Sequence, residues 1–303
     1  MTIWLRRKTF IASSFLAALL YILWRNGVST GIEANSFKMA TTTPSEPRNA
    51  LIIGAKQGIG LNLSKKLQER GWRVFATVRS LDKDKASTEE VPHTVFSRHA
   101  LQFTPQPIDL EGILDFSGCV QILQVDVKQE ETIKVAAESF GTRALDLLVV
   151  CAGVGPNPID MWEHSAEILM EKFQANTVGP FLAVKHFRDA LQRATAGKVI
   201  TISSNLASLS NTQDNRRGGS IGYRLSKTAL NQLTVSLSRT FSFEQTSITV
   251  HAIHPGWIPT TMTGFTGPDD METQISLMVD TIEKLGPSDS GRFLTADGED
   301  FPW

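Results

Sequence analysis

A doubly wound parallel α/β sheet is the fold class this sequence predicts, and three observations predict it. From Ala50 onward, short apolar runs rich in β-branched residues alternate with longer runs of helical period, the pattern of repeated βαβ units. The short runs are nearly continuous in apolar character, as strands covered by helices on both faces must be. A glycine-rich turn separates the first short run from the first helical pattern. Residues 49–303 are therefore expected to form a single domain.

The strands are predicted at 50–53, 73–78, 120–125, 145–151, 198–203 and 247–253. Between the first two, Ile59, Leu63 and Leu67 recur at helical spacing, and Gly71 stands where the chain needs a left-handed residue to leave a helix. Residues 80–118 are long for a connection and contain Pro92, Pro105 and Pro107, so they are expected to be a partly irregular surface excursion. Residues 32–48, with Ser, Thr and two prolines, are expected to be a linker.

Residues 1–31 have a different character. Arg6, Arg7, Lys8 and Arg25 all precede the first acidic residue, Glu33, and Thr9 to Trp24 is almost wholly apolar between two tryptophans. A basic flank, an apolar run and interfacial Trp predict a signal anchor with its N-terminus on the cytoplasmic side, giving a membrane-anchored domain. Two alternatives stay open: a cleaved transit peptide for an organelle, and initiation at Met39, which would leave a cytoplasmic domain.

The composition narrows the function classes. The formal net charge is −1, with basic residues scattered through the body of the chain, so no nucleic-acid footprint is expected and the partner is a small molecule. Cys119 and Cys151, the two cysteines, show no CxxC spacing, and neither a metal site nor a disulfide framework is expected. Whether the chain forms a homo-oligomer is left open by its apolar pattern.

The glycine turn carries the first chemistry. Gly54, Lys56, Gln57, Gly58, Ile59 and Gly60 lie where a strand passes into a helix. Glycines there permit a sharp turn and let a pyrophosphate approach the free N–H groups of the helix start, the dinucleotide-binding device of Rossmann-type folds. The spacing is GxxxGxG, so its position between strand and helix supplies much of its weight. At the end of the second strand the chain reads Val78, Arg79, Ser80, without the acidic residue that accepts the ribose hydroxyls of NAD. The guanidinium of Arg79, with Lys56, suits a 2′-phosphate, so NADP (NADPH) is the expected cofactor.

Tyr223 and Lys227 are four apart on one helical face, and an ammonium there would favour the phenolate and lower a phenol pKa of about 10. Ser204 ends a strand at the carboxyl edge, where its hydroxyl can hold a substrate carbonyl. Asn176 interrupts an apolar helical pattern, where an amide is unfavourable unless it has a partner. Pro255, Gly256, Ile258 and Thr260 follow the sixth strand and offer a rigid turn and a hydroxyl near the nicotinamide position.

As a set these motifs resemble the short-chain dehydrogenase/reductase family from Ala50 to the C-terminus. Ser204, Tyr223 and Lys227 match its catalytic triad, and Asn176 matches the Asn that extends it through a proton relay. Asp126 and Val127 match its adenine-contacting pair. Cys151, Ala152 and Gly153 match its NNAG element, with Cys where Asn is usual; Ile53 stands where Thr often precedes the first glycine. Gly218 and Gly219 before the tyrosine, the run from Tyr223 to Asn231, His254 to Trp257, and the ending from Gly291 to Trp303 are similar to the C-factor-like and sniffer-like carbonyl reductases.

The resemblance implies hydride transfer between nicotinamide and a carbonyl or alcohol substrate. Tyr223 would exchange the proton, Ser204 would hydrogen-bond the carbonyl oxygen, Lys227 would hold the ribose and tune Tyr223, and Asn176 would reach Lys227 through water. It also implies a substrate lid over residues 261–285, in which Met271 and Met278 offer adaptable contacts, and a loop over Asn211 to Arg217 at the substrate mouth. The rival readings are a non-catalytic NADP sensor of the same fold and a membrane-tethered scaffold; loss of Tyr or Lys would mark a sensor, and this sequence keeps both.

Overall fold

The strand Asn49–Ile53 (β1) is NALII, buried at all but its first residue, and forms the centre of a seven-stranded sheet. The computed structural model describes residues 47–80, 120–215 and 218–303, all within the unit Pro47–Trp303. Around β1 lie Arg73–Val78 (β2), Gln121–Gln124 (β3), Leu147–Val150 (β4), Lys198–Ile202 (β5), Thr249–His254 (β6) and Phe293–Thr295 (β7). The order is β3-β2-β1-β4-β5-β6-β7 and every pairing is parallel, with Leu51 opposite Phe75 on one side and Leu148 on the other. All six predicted strands are present, β3 and β4 each being shorter at both ends. The seventh strand is not anticipated by the sequence reading, because three residues are too few to carry a period.

The helices are Gly58–Glu69 (α1), Glu130–Phe140 (α2), Ala166–Phe173 (α3), Gly179–Arg193 (α4), Leu209–Asn215 (α5), Ile221–Phe243 (α6) and Met271–Lys284 (α7). They cover both faces of the sheet, and side-chain alternation along β1 divides the core. Leu51 and Ile53 join Phe75, Phe140 and Phe187, whose rings meet edge-on with centroids 4.8 and 5.9 Å apart. Ala50 and Ile52 face Leu63 and Leu67 of α1 and Ile275 and Met278 of α7. Gly71 leaves α1 with φ +80, as expected.

Three expectations are corrected. Met271 and Met278 belong to no lid: α7 packs on the sheet, with Met278 fully buried and Met271 against the same cluster. Within 261–285, only the residues before α7 lie outside that helix, beginning with a tight turn at Thr261–Thr263. The loop expected over Asn211 to Arg217 is helical as far as Asn215. The N-terminal apolar segment, nearly all of the linker, Cys119 and the excursion at 81–118 lie outside the described residues. Among the described residues no helix is long and apolar enough to cross a membrane.

Candidate active site

The chain reverses direction across the sheet between β1 and β4, and a crevice opens at that switch point beyond their carboxyl ends. Gly54 leaves β1 with φ +88, and an added Cβ would lie 2.7 Å from the backbone nitrogen of Ala152. This close approach brings the Cys151 and Ala152 N–H groups to the carbonyl of Ile53, each at 2.9 Å. Thr77 of β2 fixes the turn from the other side: its hydroxyl accepts from Gly54 N and its carbonyl from Ala55 N, both at 3.0 Å. Gly60 admits no side chain, since its Cβ would stand 2.2 Å from the Gly54 carbonyl oxygen.

Above this turn lies a cleft of about 360 Å³. Every predicted residue of the glycine turn lines it, from Gly54, Lys56 and Gln57 to Gly58, Ile59 and Gly60. Arg79 enters from the end of β2, Asp126 and Val127 from the end of β3, and Cys151, Ala152 and Gly153 from the end of β4. Thr260 closes the far side, beside Met262. Pro255, Gly256 and Ile258 are not among the lining residues. Gly256 faces Asp269 and Gln274 instead, and Ile258 is buried, so this turn reaches the cleft through its later residues. Thr77 and Met262 also line the cleft without having been singled out in the sequence; a Thr within a buried apolar strand is the signal that marks Thr77.

The proton-handling groups stand beyond the inner end of the cleft. Gly153 marks the boundary, because a Cβ there would meet Asn176 Oδ1 at 2.8 Å and Lys227 Nζ at 3.7 Å. Ser204 follows β5, and its hydroxyl oxygen accepts from Leu206 N at 3.1 Å to open a single turn of 3₁₀ helix. Tyr223 and Lys227 share a face in the first two turns of α6, and both are buried. Lys227 Nζ donates to the Ile202 carbonyl at 2.8 Å and lies 5.7 Å from the centroid of the Tyr223 ring.

Electrostatics here run against the sequence expectation for Tyr223. Burial pushes its phenol up to about 12, opposed by a hydrogen bond with Ser204, so the hydroxyl keeps its proton at neutral pH. Burial pulls Lys227 down to about 8 and lifts the Cys151 thiol to about 12. A phenol that holds its proton suits donation to a developing alkoxide.

Asn176 does not bend its own helix by bonding to it. Between α3 and α4, Gln174–Val178 form a π-helical turn, and the Asn176 amide reaches across to another element. Its Oδ1 accepts from Val154 N at 2.9 Å, while Nδ2 donates to the Val154 carbonyl at 3.1 Å and to Ser226 Oγ at 3.0 Å. The direct partners of this amide are thus the β4 turn and α6.

The short chain dehydrogenase family model matches residues 112–270, just over half of the chain. The chain belongs to the short-chain dehydrogenase family. A 1-hydroxy-2-glutathionyl-2-methyl-3-butene dehydrogenase of Rhodococcus is 26% identical to it over 84% of this chain and 98% of that protein. Among solved structures, the carbonyl reductase Sniffer of D. melanogaster superposes with a TM-score of 0.69 at 27% identity, covering 85% of this chain and all of that one. An NADPH-bound carbonyl reductase from chicken fatty liver gives a TM-score of 0.70 at 26% identity over 85% and 99% of the two chains.

Proposed function

We propose that this short-chain dehydrogenase is an NADPH-dependent carbonyl reductase with Tyr223 as its proton donor. The observation that carries the reading is the placement of a buried, protonated phenol, the Ser204 hydroxyl and the Lys227 ammonium at the inner end of a cleft floored by the glycine turn. Likeness to carbonyl reductase structures, one of them NADPH-bound, supports it.

The residues fit a phosphorylated dinucleotide. Gly54 and Gly60 are pressed against backbone and leave the turn bare of side chains, so main-chain N–H groups at the start of α1 can face a pyrophosphate. Lys56 and Arg79 line the same cleft and supply positive charge where a 2′-phosphate would lie, and no carboxylate ends β2. When bound, NADPH supplies the hydride delivered to the substrate carbonyl carbon.

The chain's own residues do the rest. Tyr223 Oη gives its proton to the carbonyl oxygen. Ser204 Oγ donates a hydrogen bond to that oxygen, which strengthens as negative charge develops. Lys227, held by Ile202, presents its positive charge beside the Tyr223 ring and to the ribose. Asn176 positions both sides of the site, tying the turn after β4 to Ser226 on the tyrosine helix. Thr9 to Trp24 is read as a membrane tether on the strength of its apolar run and basic flank. Exposed Met170, Phe173 and Leu225 support pairing with a second copy. Steady-state NADPH oxidation with an aldehyde panel tests the central reading.

A further inference from the structure

One buried charge is used by none of these steps. Lys172, in the last turn of α3, is 5% exposed, and among the described residues no carboxylate forms an ion pair with it, the neighbouring Glu171 acting only through its field. Its neighbour Glu171 is paired instead with Lys128. Burying an ammonium without a direct ion pair is costly, and here burial outweighs the field of Glu171, so a Leu or Met of similar length would pack there more cheaply. The Lys172 side chain passes over Gly222, whose added Cβ would meet its Cδ at 2.9 Å. Gly222 immediately precedes Tyr223, and the lysine stem needs the space its missing side chain leaves.

The ammonium ends on the turn that borders the cleft. Lys172 Nζ donates to the Gly155 carbonyl at 2.7 Å, and Gly155 in turn packs against Met262, its added Cβ falling 3.0 Å from Met262 Cγ. Four residues along the same helical run, Asn176 takes both the N–H and the carbonyl of Val154. Lys172 and Asn176 therefore hold two successive residues of one short segment. That segment begins at Gly153, beside Lys227, and leads to the side of the site where Met262 stands.

We propose that Lys172 is a positioning residue that sets substrate affinity: by holding the Gly155 carbonyl while threading past Gly222, it fixes the turn after β4 relative to Tyr223 and Met262. The role rests on the carbonyl reductase reading for its kinetic consequence and on the geometry alone for its structural one. Lys172 touches no reacting atom. Its effect falls on how the non-reacting part of a substrate is held, and so on KM more than on kcat or on NADPH binding.

The test compares the full chain with Lys172→Met, which keeps length and loses the donor, and Lys172→Arg, which restores a charged donor. Michaelis constants for 4-nitrobenzaldehyde, NADPH affinity by fluorescence titration, melting temperature and amide hydrogen exchange across residues 152–158 are measured on each. The expected result for Lys172→Met is a KM raised about 5-fold or more, with kcat, NADPH affinity and melting temperature little changed and exchange across 152–158 accelerated about 10-fold. Lys172→Arg restores most of both losses. Unchanged exchange in Lys172→Met overturns the proposal, as does a parallel fall in melting temperature, NADPH affinity and kcat, which would make the lysine ordinary packing. If the parent chain turns over no aldehyde, the reductase reading fails by itself, and the exchange measurement still decides whether Lys172 holds the turn.

Discussion

The ammonium of Lys227 lies 5.7 Å from the centroid of the Tyr223 ring, anchored by its 2.8 Å bond to the Ile202 carbonyl. This separation sorts the two groups by task. The phenol, pushed up to about 12 by burial, keeps its proton, while the lysine, pulled down to about 8 by the same desolvation, loses its own as pH rises through that value. Reduction needs the phenol protonated and the ammonium charged, and the charged fraction of Lys227 shrinks as pH rises through about 8. Carbonyl reduction is accordingly expected to be level from about pH 6 to 7.5 and to fall about tenfold per pH unit above 8.5. A kcat/KM profile measured with NADPH checks this; a profile flat to pH 10 would remove Lys227 from the ionisations that matter.

Arg79 stands exposed at the end of β2 and lines the cleft with Lys56. Replacing it with Ser is expected to weaken NADPH about 10-fold and to leave NADH nearly unchanged, because a charge-assisted pair to the 2′-phosphate contributes about 1.5 kcal/mol or more. Fluorescence titrations with both nucleotides check it, and the NADPH difference should shrink at high salt.

Asn176 is fully buried and fills three hydrogen bonds to Val154 and Ser226. Truncation to Ala takes the partner from the part-buried Val154 N–H and carbonyl and from the buried Ser226 hydroxyl, at a cost of about 2 kcal/mol. Urea unfolding of Asn176→Ala reads that loss directly, and its kcat should fall together with its stability because the β4 turn beside Lys227 loosens.

His251 has no exposed surface, and burial pulls its imidazole down to about 4. The unfolded chain takes up a proton below about 6.5 that the folded chain refuses until about 4, so the folded state is favoured in full above pH 6.5 and loses that advantage as pH falls towards 4. The loss is on the order of 3 kcal/mol. Melting temperature followed from pH 7.5 down to 5 should fall by several degrees, and His251→Gln should remove about half of that fall, because burial holds His254 near 4 as well.

Much of this architecture is legible in sequence because its signals are local. Six strands declare themselves as short, mostly apolar runs, and the Gly54 to Gly60 turn and the Tyr223 and Lys227 pair through spacing. What is not legible depends on contacts between distant segments. Thr77 is unremarkable in β2 until its hydroxyl is found holding Gly54, 23 residues earlier. Asn176 stands out as a misplaced amide, yet the π-helical turn that carries it follows from where Val154 and Ser226 lie. The phenol's raised pKa reflects burial, a property of the packed site that the four-residue spacing to Lys227 does not contain. Gly256 is likewise read as cofactor-facing from its place after β6, whereas Asp269 and Gln274 take up the space beside it.

The central claim is tested most directly by NADPH oxidation with aldehyde substrates, comparing the full chain with Tyr223→Phe. The hydroxyl is all that this substitution removes from a buried ring, so the variant should fold, bind NADPH with unchanged affinity and lose at least about 1000-fold in kcat, in keeping with the loss of a proton donor. Turnover that survives in Tyr223→Phe, or a parent chain that binds NADPH tightly and reduces no carbonyl, would contradict the account.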